Sequence, residues 1–444
     1  MIKYINYGGA DGLTGACHMV STDYGNILLD CGLFQGRDKK IYSNLEMYFN
    51  AREIDAVVLS HAHIDHCGRI PILYEMGYKG KVYGTKATKL LAGVVLEESS
   101  KMFEEFSNDS YKLFDMNSVN KFLNNYVEID YRTKIELIKG INLELFDAGH
   151  LLGSASILIE VDGKKIFYSG DIGKLNTPIL KDPEIIEGAD FAIVESTYGS
   201  LDKHESNEFF DDFQKIIVNT LKRGGKCLIP SATVGKMQEI LYLINDIFES
   251  NDFDYKVYID SPMSSKIVEI YEKCKDVYDE DAQNKLDSGD DPLYFKNLVY
   301  STTIEDSMKI QESEDPYVVL SAGGMCEGGR IIYHLKRQID NCRNSIILVG
   351  SQAKGTLGWR LSKGSKQINI FKDKFDVKAE VYNFPSLSGH GDRSTIVDYV
   401  NSMIYKPQKI FLVHGDRKNQ RDLKEYLDCK NIEYTKFLGK YELY

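Results

Sequence analysis

Ala56-Val57-Val58-Leu59-Ser60-His61-Ala62-His63-Ile64-Asp65-His66 is the stretch on which the reading of this chain turns. Four apolar residues in a row make a short buried strand, and four ligand-type side chains follow at once. His61 and His63, two apart in extended backbone, point to the same side and can share one metal ion. Asp65 and His66 come where the backbone turns and can face a second. Imidazole nitrogen with carboxylate oxygen is a zinc donor set, and iron or manganese would also accept it.

Four residues do not close two sites, so further ligands must come from other strand ends. His150 follows the half-buried run Asn142–Phe146 in Asp147-Ala148-Gly149-His150. Asp171 follows Ile166–Tyr168 in Ser169-Gly170-Asp171, and His414 follows Ile410–Val413 in Val413-His414-Gly415. Asp30, after Ile27–Leu29, is placed to orient a ligand from behind. A lone histidine at a strand end is usually structural; a His-x-His-x-Asp-His after a buried strand is not.

The surrounding sequence supplies the frame. Ala16–Ser21 and Asn26–Asp30 read as a hairpin, and Ser156–Val161 with Lys165–Tyr168 as a clearer one, because Asp162-Gly163 is a strong two-residue turn. Ala56–Leu59 and Phe191–Val194 read as buried strands, and 86–106 as a helix. The texture changes after Tyr198. Strands at 226–229, 256–259, 317–320 and 345–349 alternate with helices at 236–249, 262–274 and 330–338, which implies right-handed crossovers and a parallel sheet. Residues 279–315, acidic and carrying Asp-Ser-Gly-Asp-Asp, read as a mobile insert. Strand-like runs at 377–384 and 409–413 follow.

At 444 residues, two domains are expected. The hydrophobic share of 43% and charged share of 27% suit a globular protein with a sizeable core. No run is long and apolar enough to span a membrane, and Met1–Gly8 lacks the features of a signal peptide. The eight cysteines form no Cys-x-x-Cys pair and read as reduced, so the compartment is expected to be cytoplasmic. The net charge of −12 hides an asymmetry: residues 330–366 hold eight basic side chains against Asp340 alone. A positive stripe on an acidic body can attract a polyanion, although solvated helix faces would look the same.

Asp30, the His61–His66 cluster, His150 and Asp171 closely resemble the four signature motifs of the metallo-β-lactamase fold. Glu195-Ser196-Thr197-Tyr198-Gly199, Ser388-Gly389-His390-Gly391-Asp392 and Val413-His414-Gly415 resemble its β-CASP nuclease branch. So do Asp30-Cys31-Gly32-Leu33-Phe34-Gln35-Gly36, Gly324-Met325-Cys326-Glu327-Gly328-Gly329-Arg330 and Gly350-Ser351-Gln352-Ala353. The likeness runs from Gly8 to Gly415 and is closest to compact bacterial ribonucleases related to the nuclease subunit of the pre-mRNA 3′-end cleavage complex. It implies an α/β fold: an αββα metallo-β-lactamase sandwich over 1–197 and 366–444, with a parallel-sheet β-CASP domain inserted at 198–365.

The resemblance also implies two zinc ions per chain. One takes His61, His63, His150 and Asp171; the other takes Asp65, His66, His414 and the bridging Asp171. A hydroxide activated by both would attack the phosphodiester of single-stranded RNA, with Asp65 orienting it. His390, kept protonated by Glu195, would be the acid for the leaving oxygen, giving a 5′-phosphate and a 3′-hydroxyl. Lys236, Gly324, Gly328, Gly329, Arg330 and Ser388 are the candidate substrate contacts. Lys236 stands where the family usually has Arg, which keeps charge but loses bidentate geometry. Trp359 and Tyr333 are candidates for base stacking, against a more ordinary place in the core. A homodimer is implied by resemblance alone. Hydrolysis of a small molecule on the same metal core and a non-catalytic RNA-processing role are the competing readings.

Overall fold

The computed structural model describes residues 1–106, 113–202, 208–385 and 387–444. The chain divides into two compact units, Met1–Asp202 with His390–Tyr444, and Lys203–Gly389.

The first unit is a sandwich of two seven-stranded sheets. One sheet runs in the order Lys440–Glu442, Lys3–Gly8, Cys17–Ser21, Asn26–Leu29, Ala56–Val58, Lys81–Gly84, Tyr126–Glu128. The other runs Ile432–Tyr434, Lys409–Val413, Phe191–Glu195, Lys164–Tyr168, Ala155–Val161, Ile141–Asp147, Ile135–Ile138. Side-chain alternation with period two decides what each face does. Ile193, Phe411 and Val413 turn inward to meet Tyr4, Leu29 and Val58 of the facing sheet. Ala192, Val194, Ile410 and Leu412 turn outward and are covered by Ile396, Tyr399 and Val400 of the helix Arg393–Asn401, and by Leu423 of the helix Arg417–Lys424. The hairpin turn at Asp162-Gly163 forms as read, with φ of +51° and +71° at the two positions. Both values are what a tight turn matching the strand twist demands.

The second unit is built on a six-stranded sheet, in the order Leu298–Ser301, Lys256–Asp260, Tyr317–Ala322, Cys227–Ser231, Ser345–Val349, Glu380–Phe384, and each neighbouring pair is parallel. Two details differ from the sequence reading. Residues 366–389 were expected with the sandwich, but Glu380–Phe384 pairs in register with Ser345–Val349 and extends the second sheet. Residues 279–315 were expected to be a mobile insert, yet they form the helix Glu280–Asp287, the edge strand Leu298–Ser301 and the helix Ile304–Glu312. Polar side chains cap both helices: Asp279 and Thr303 accept from the backbone N–H of Ala282 and Asp306 at the two helix starts, at 2.7 and 3.1 Å. Buried Ala282, Leu293 and Ile310 anchor the segment. Among the described residues, no helix is long and apolar enough to cross a membrane.

Candidate metal centre

Strand ends of both sheets of the first unit deliver the chemistry-bearing side chains to one place. Ala56–Val58 leads into His61, and His63 stands in extended backbone as the cap of the short helix Ile64–Cys67, so Asp65 and His66 lie in that helix's single turn. Asp30 and His414 each leave their strand in the left-handed region, at φ of +58° and +50°. Such backbone is costly for residues with a Cβ and persists only where the surroundings enforce it. Gly32 has a different constraint: a Cβ there would sit 1.5 Å from the Asp65 carbonyl oxygen, so the loop can pass the ligand turn only as glycine.

Two sets of donor atoms converge. His61 Nε2 lies 3.1 Å from His63 Nδ1, and His150 Nε2 lies 3.2 Å from the same atom. Asp171 Oδ2 is 3.5 Å from His61 Nε2 and 3.6 Å from His150 Nε2. In the second set His66 Nε2 and His414 Nε2 are 3.2 Å apart, His414 Nε2 is 3.5 Å from Asp65 Oδ2, and His66 Nε2 is 3.4 Å from Asp171 Oδ2. A tetrahedral ion with ligand bonds near 2.0–2.1 Å spaces its donors by about 3.3 Å. These separations match edges of a metal-sized tetrahedron, and one oxygen, Asp171 Oδ2, lies within 3.6 Å of imidazole nitrogens from both sets. Its partner oxygen, Asp171 Oδ1, is buried with no hydrogen bond.

Charge points the same way. Asp30, Asp171 and Glu195 are buried and Asp65 nearly so. The ion pairs that Asp30, Asp65 and Asp171 make are with imidazoles. Carboxylates in such a place need a cation. Burial alone would raise the Asp65 pKa, yet His414, His66 and His63 hold it down at about 2. Asp171 lies well below the usual carboxylate range because the surrounding imidazoles outweigh its burial. His61 is pushed well down by burial and by His66, which leaves it neutral, as a ligand must be. His66 and His414 go up despite burial, drawn by Asp171 together with Asp30 and Asp65 respectively. The donor set fits metal binding.

Three family models match the chain: a metallo-beta-lactamase superfamily domain over residues 19–196, a Beta-Casp domain over 237–361, and a Zn-dependent metallo-hydrolase RNA specificity domain over 374–435. A protein named as a ribonuclease from Thermus thermophilus is 32% identical over 434 residues, covering 98% of both chains. The chain belongs to the β-CASP ribonucleases of the metallo-β-lactamase superfamily. An RNase J-like protein of Methanocaldococcus jannaschii is 31% identical, covering 93% of this chain and 92% of that one. The transcription termination factor FttA of the same organism is 31% identical, covering 94% of this chain and 67% of its own. A crystal structure of an Enterococcus faecalis protein of unknown function shares the fold, with a TM-score of 0.59 at 12% identity over 99% of both chains.

Beside the metal-binding cluster of this β-CASP ribonuclease, His390 Nδ1 lies 3.2 Å from Glu195 Oε1. Glu195 is fixed in turn by the backbone N–H of Ile172 at 2.7 Å and of Thr197 at 3.1 Å. Burial disfavours charge on His390, but Glu195 and Asp171 more than offset it and raise its pKa. The His390 ring sits 4.5 Å from that of His150.

Behind the ligands, Asp30 Oδ1 accepts from the Ser60 N–H at 2.7 Å, and Oδ2 accepts from Ser60 Oγ, Tyr168 OH and His66 Nδ1 at 2.7 to 2.8 Å. Ser60 Oγ, having donated to Asp30, accepts from His61 Nδ1 at 3.0 Å. Nδ1 of both imidazoles is thereby engaged, and Nε2 of each faces the cluster. Asp30 was legible in the sequence; Ser60 and Tyr168 were not, since a serine before the cluster and a strand-end tyrosine carry no signal of their own. Replacing Tyr168 with Phe keeps the packing and removes one donor to Asp30. The expected result is metal affinity roughly tenfold weaker, with an unchanged circular dichroism spectrum. Chelator competition measures it, and unaltered affinity would show that Tyr168 is only core.

The other sequence-derived candidates lie in the second unit. Lys236 opens the helix Lys236–Asn251 and pairs with Glu239. Gly324, Gly328 and Gly329 lie in the loop between the strand Tyr317–Ala322 and the helix Ile331–Gln338. Arg330 is engaged internally: NH1 donates to Asp260 Oδ1 at 2.8 Å and NH2 to the Thr302 carbonyl at 2.9 Å. His334 Nε2 and Ser307 Oγ take the other Asp260 oxygen, at 2.7 and 2.6 Å. Ser388 is buried next to the end of the unit.

Proposed function

We propose that this chain hydrolyses phosphodiester bonds of single-stranded RNA with two zinc ions, leaving a 5′-phosphate and a 3′-hydroxyl. The observation that carries the reading is Asp171 Oδ2, within 3.4 to 3.6 Å of imidazole nitrogens from both donor sets. His61, His63, His150 and Asp171 would hold one ion, and Asp65, His66, His414 and the same Asp171 the other. Bound there, such ions neutralise phosphoryl charge and bring the pKa of water to near neutrality.

The remaining work falls to this chain's own groups. Asp65, held ionised by His414, His66 and His63, would orient the attacking water. His390 directs Nδ1–H at Glu195, so Nε2 is the atom that hands a proton to the leaving 3′-oxygen. Ser60, Tyr168 and Asp30 keep the ligand imidazoles in one tautomer and one orientation. The ribonuclease relatives and the match to an RNA specificity domain favour RNA over a small ester or a non-catalytic role.

The test is cleavage of a 5′-labelled single-stranded RNA on a sizing gel, with and without chelator, for the natural chain, Asp65→Ala and His66→Ala. Each variant should lose at least about a thousandfold in rate, the scale of several kcal/mol of transition-state stabilisation. Full activity in either, or indifference to chelator, would refute the mechanism.

A further inference from the structure

The two-stranded hairpin Gln367–Ile370 and Asp373–Asp376 lies against the helix Ile331–Gln338 of the second unit. Ile368 and Ile370 point into the core with Ile331 and Leu335. Phe371, next in the alternation, takes the turn at φ +54° and is 60% exposed. A turn that needs left-handed backbone favours glycine or asparagine, and an aromatic ring there meets a steric cost with little burial to offset it. An outlier of that kind is a reason to look for a ligand.

The ring does not stand alone. Tyr333, 50% exposed, lies 5.5 Å from it between ring centres at 46°, and Lys336 Nζ sits 5.8 Å from the Phe371 centroid. Lys363, Lys366, Lys372, Lys374 and Lys378 are all exposed, against only Asp373 and Asp376 in the same stretch. Aromatic faces among lysines, on a chain of net charge −12, match bases and phosphates rather than an apolar protein partner.

We propose that Phe371 and Tyr333, with the lysines around the hairpin, form a stacking platform for unpaired bases of single-stranded RNA. The proposal rests on the RNA reading above and adds to it a second place where the strand is held. Phe371 stacks on a base, Tyr333 supports its neighbour, and Lys372 and Lys374 meet the phosphates on either side.

The test is fluorescence anisotropy of a labelled oligouridine and of an RNA duplex, using the full chain carrying Asp65→Ala so that the probe is not cut. Phe371→Gly relieves the backbone cost while removing the ring. It should hold or raise the melting temperature, weaken oligouridine binding roughly tenfold and leave duplex binding within about twofold, with Phe371→Trp restoring affinity. Lys372→Glu with Lys374→Glu should flatten the salt dependence of binding, and serves if the glycine variant folds poorly. The platform is overturned if Phe371→Gly leaves oligouridine affinity unchanged, if it weakens single strand and duplex alike, or if the parent chain binds no single strand. A natural chain that cleaves RNA while Phe371→Gly binds normally would remove the platform and leave the cleavage reading intact. Cleavage of the probe by the Asp65→Ala chain would count against the mechanism instead.

Discussion

Asp171→Ala should abolish RNA cleavage, lowering the rate by at least about a thousandfold, and should strip the chain of most bound zinc. Its Oδ2 lies within 3.4 to 3.6 Å of imidazoles from both donor sets, so on the proposed reading its loss would open both sites at once. It also removes the carboxylate that holds up the pKa of both His66 and His414 despite their burial. Without it their protons would come off more easily, and ions held by the remaining residues would lack a carboxylate that offsets their charge. Elemental analysis alongside the cleavage assay reads both effects. Activity within tenfold of the natural chain, or undiminished zinc, would mean that Asp171 bridges nothing.

His390→Gln should act on a different step, cutting kcat by roughly a hundred- to ten-thousandfold while zinc content and KM stay put. The diagnostic is the leaving group. An RNA analogue with sulfur in place of the scissile 3′-oxygen needs no proton to depart, so the deficit on that substrate should shrink to within about tenfold. An equal deficit on both substrates would assign His390 a purely structural place. The pH profile supplies an independent check. A histidine whose pKa is raised stays protonated above the ordinary value, so activity that needs the acid persists there and falls as pH climbs through the raised pKa. Glu195→Gln removes the main cause of that elevation and should shift the alkaline limb to lower pH. A limb that stays in place would mean another group titrates.

Part of the convergence of these His and Asp side chains was legible in the sequence because they lie just beyond strands, at sheet edges where side chains gather. His61 and His63 after Ala56–Val58, and His414 after Lys409–Val413, needed no knowledge of distant contacts. Asp162-Gly163 was legible for the same local reason. The polar layer behind the ligands was not, because Tyr168 meets Asp30 across 138 positions and nothing in Ile166–Tyr168 distinguishes that hydroxyl from any buried tyrosine. Arg330, read as a phosphate contact beside its glycines, also donates to Asp260, seventy positions earlier, a partner the local sequence does not reveal. Residues 279–315 looked mobile because they are acidic and carry Asp-Ser-Gly-Asp-Asp, and a few anchors such as Leu293, with capped helix starts, were enough to order them. Their disposition followed tertiary pairing that composition does not encode.

Zinc stoichiometry of the purified chain, measured by elemental analysis after saturation and exhaustive dialysis, bears most directly on the proposed shared-carboxylate centre. Two ions retained per chain, falling to at most one in His61→Ala and in His66→Ala, is the predicted result. A natural chain that takes up no transition metal, or that keeps both ions when either histidine is gone, would contradict it.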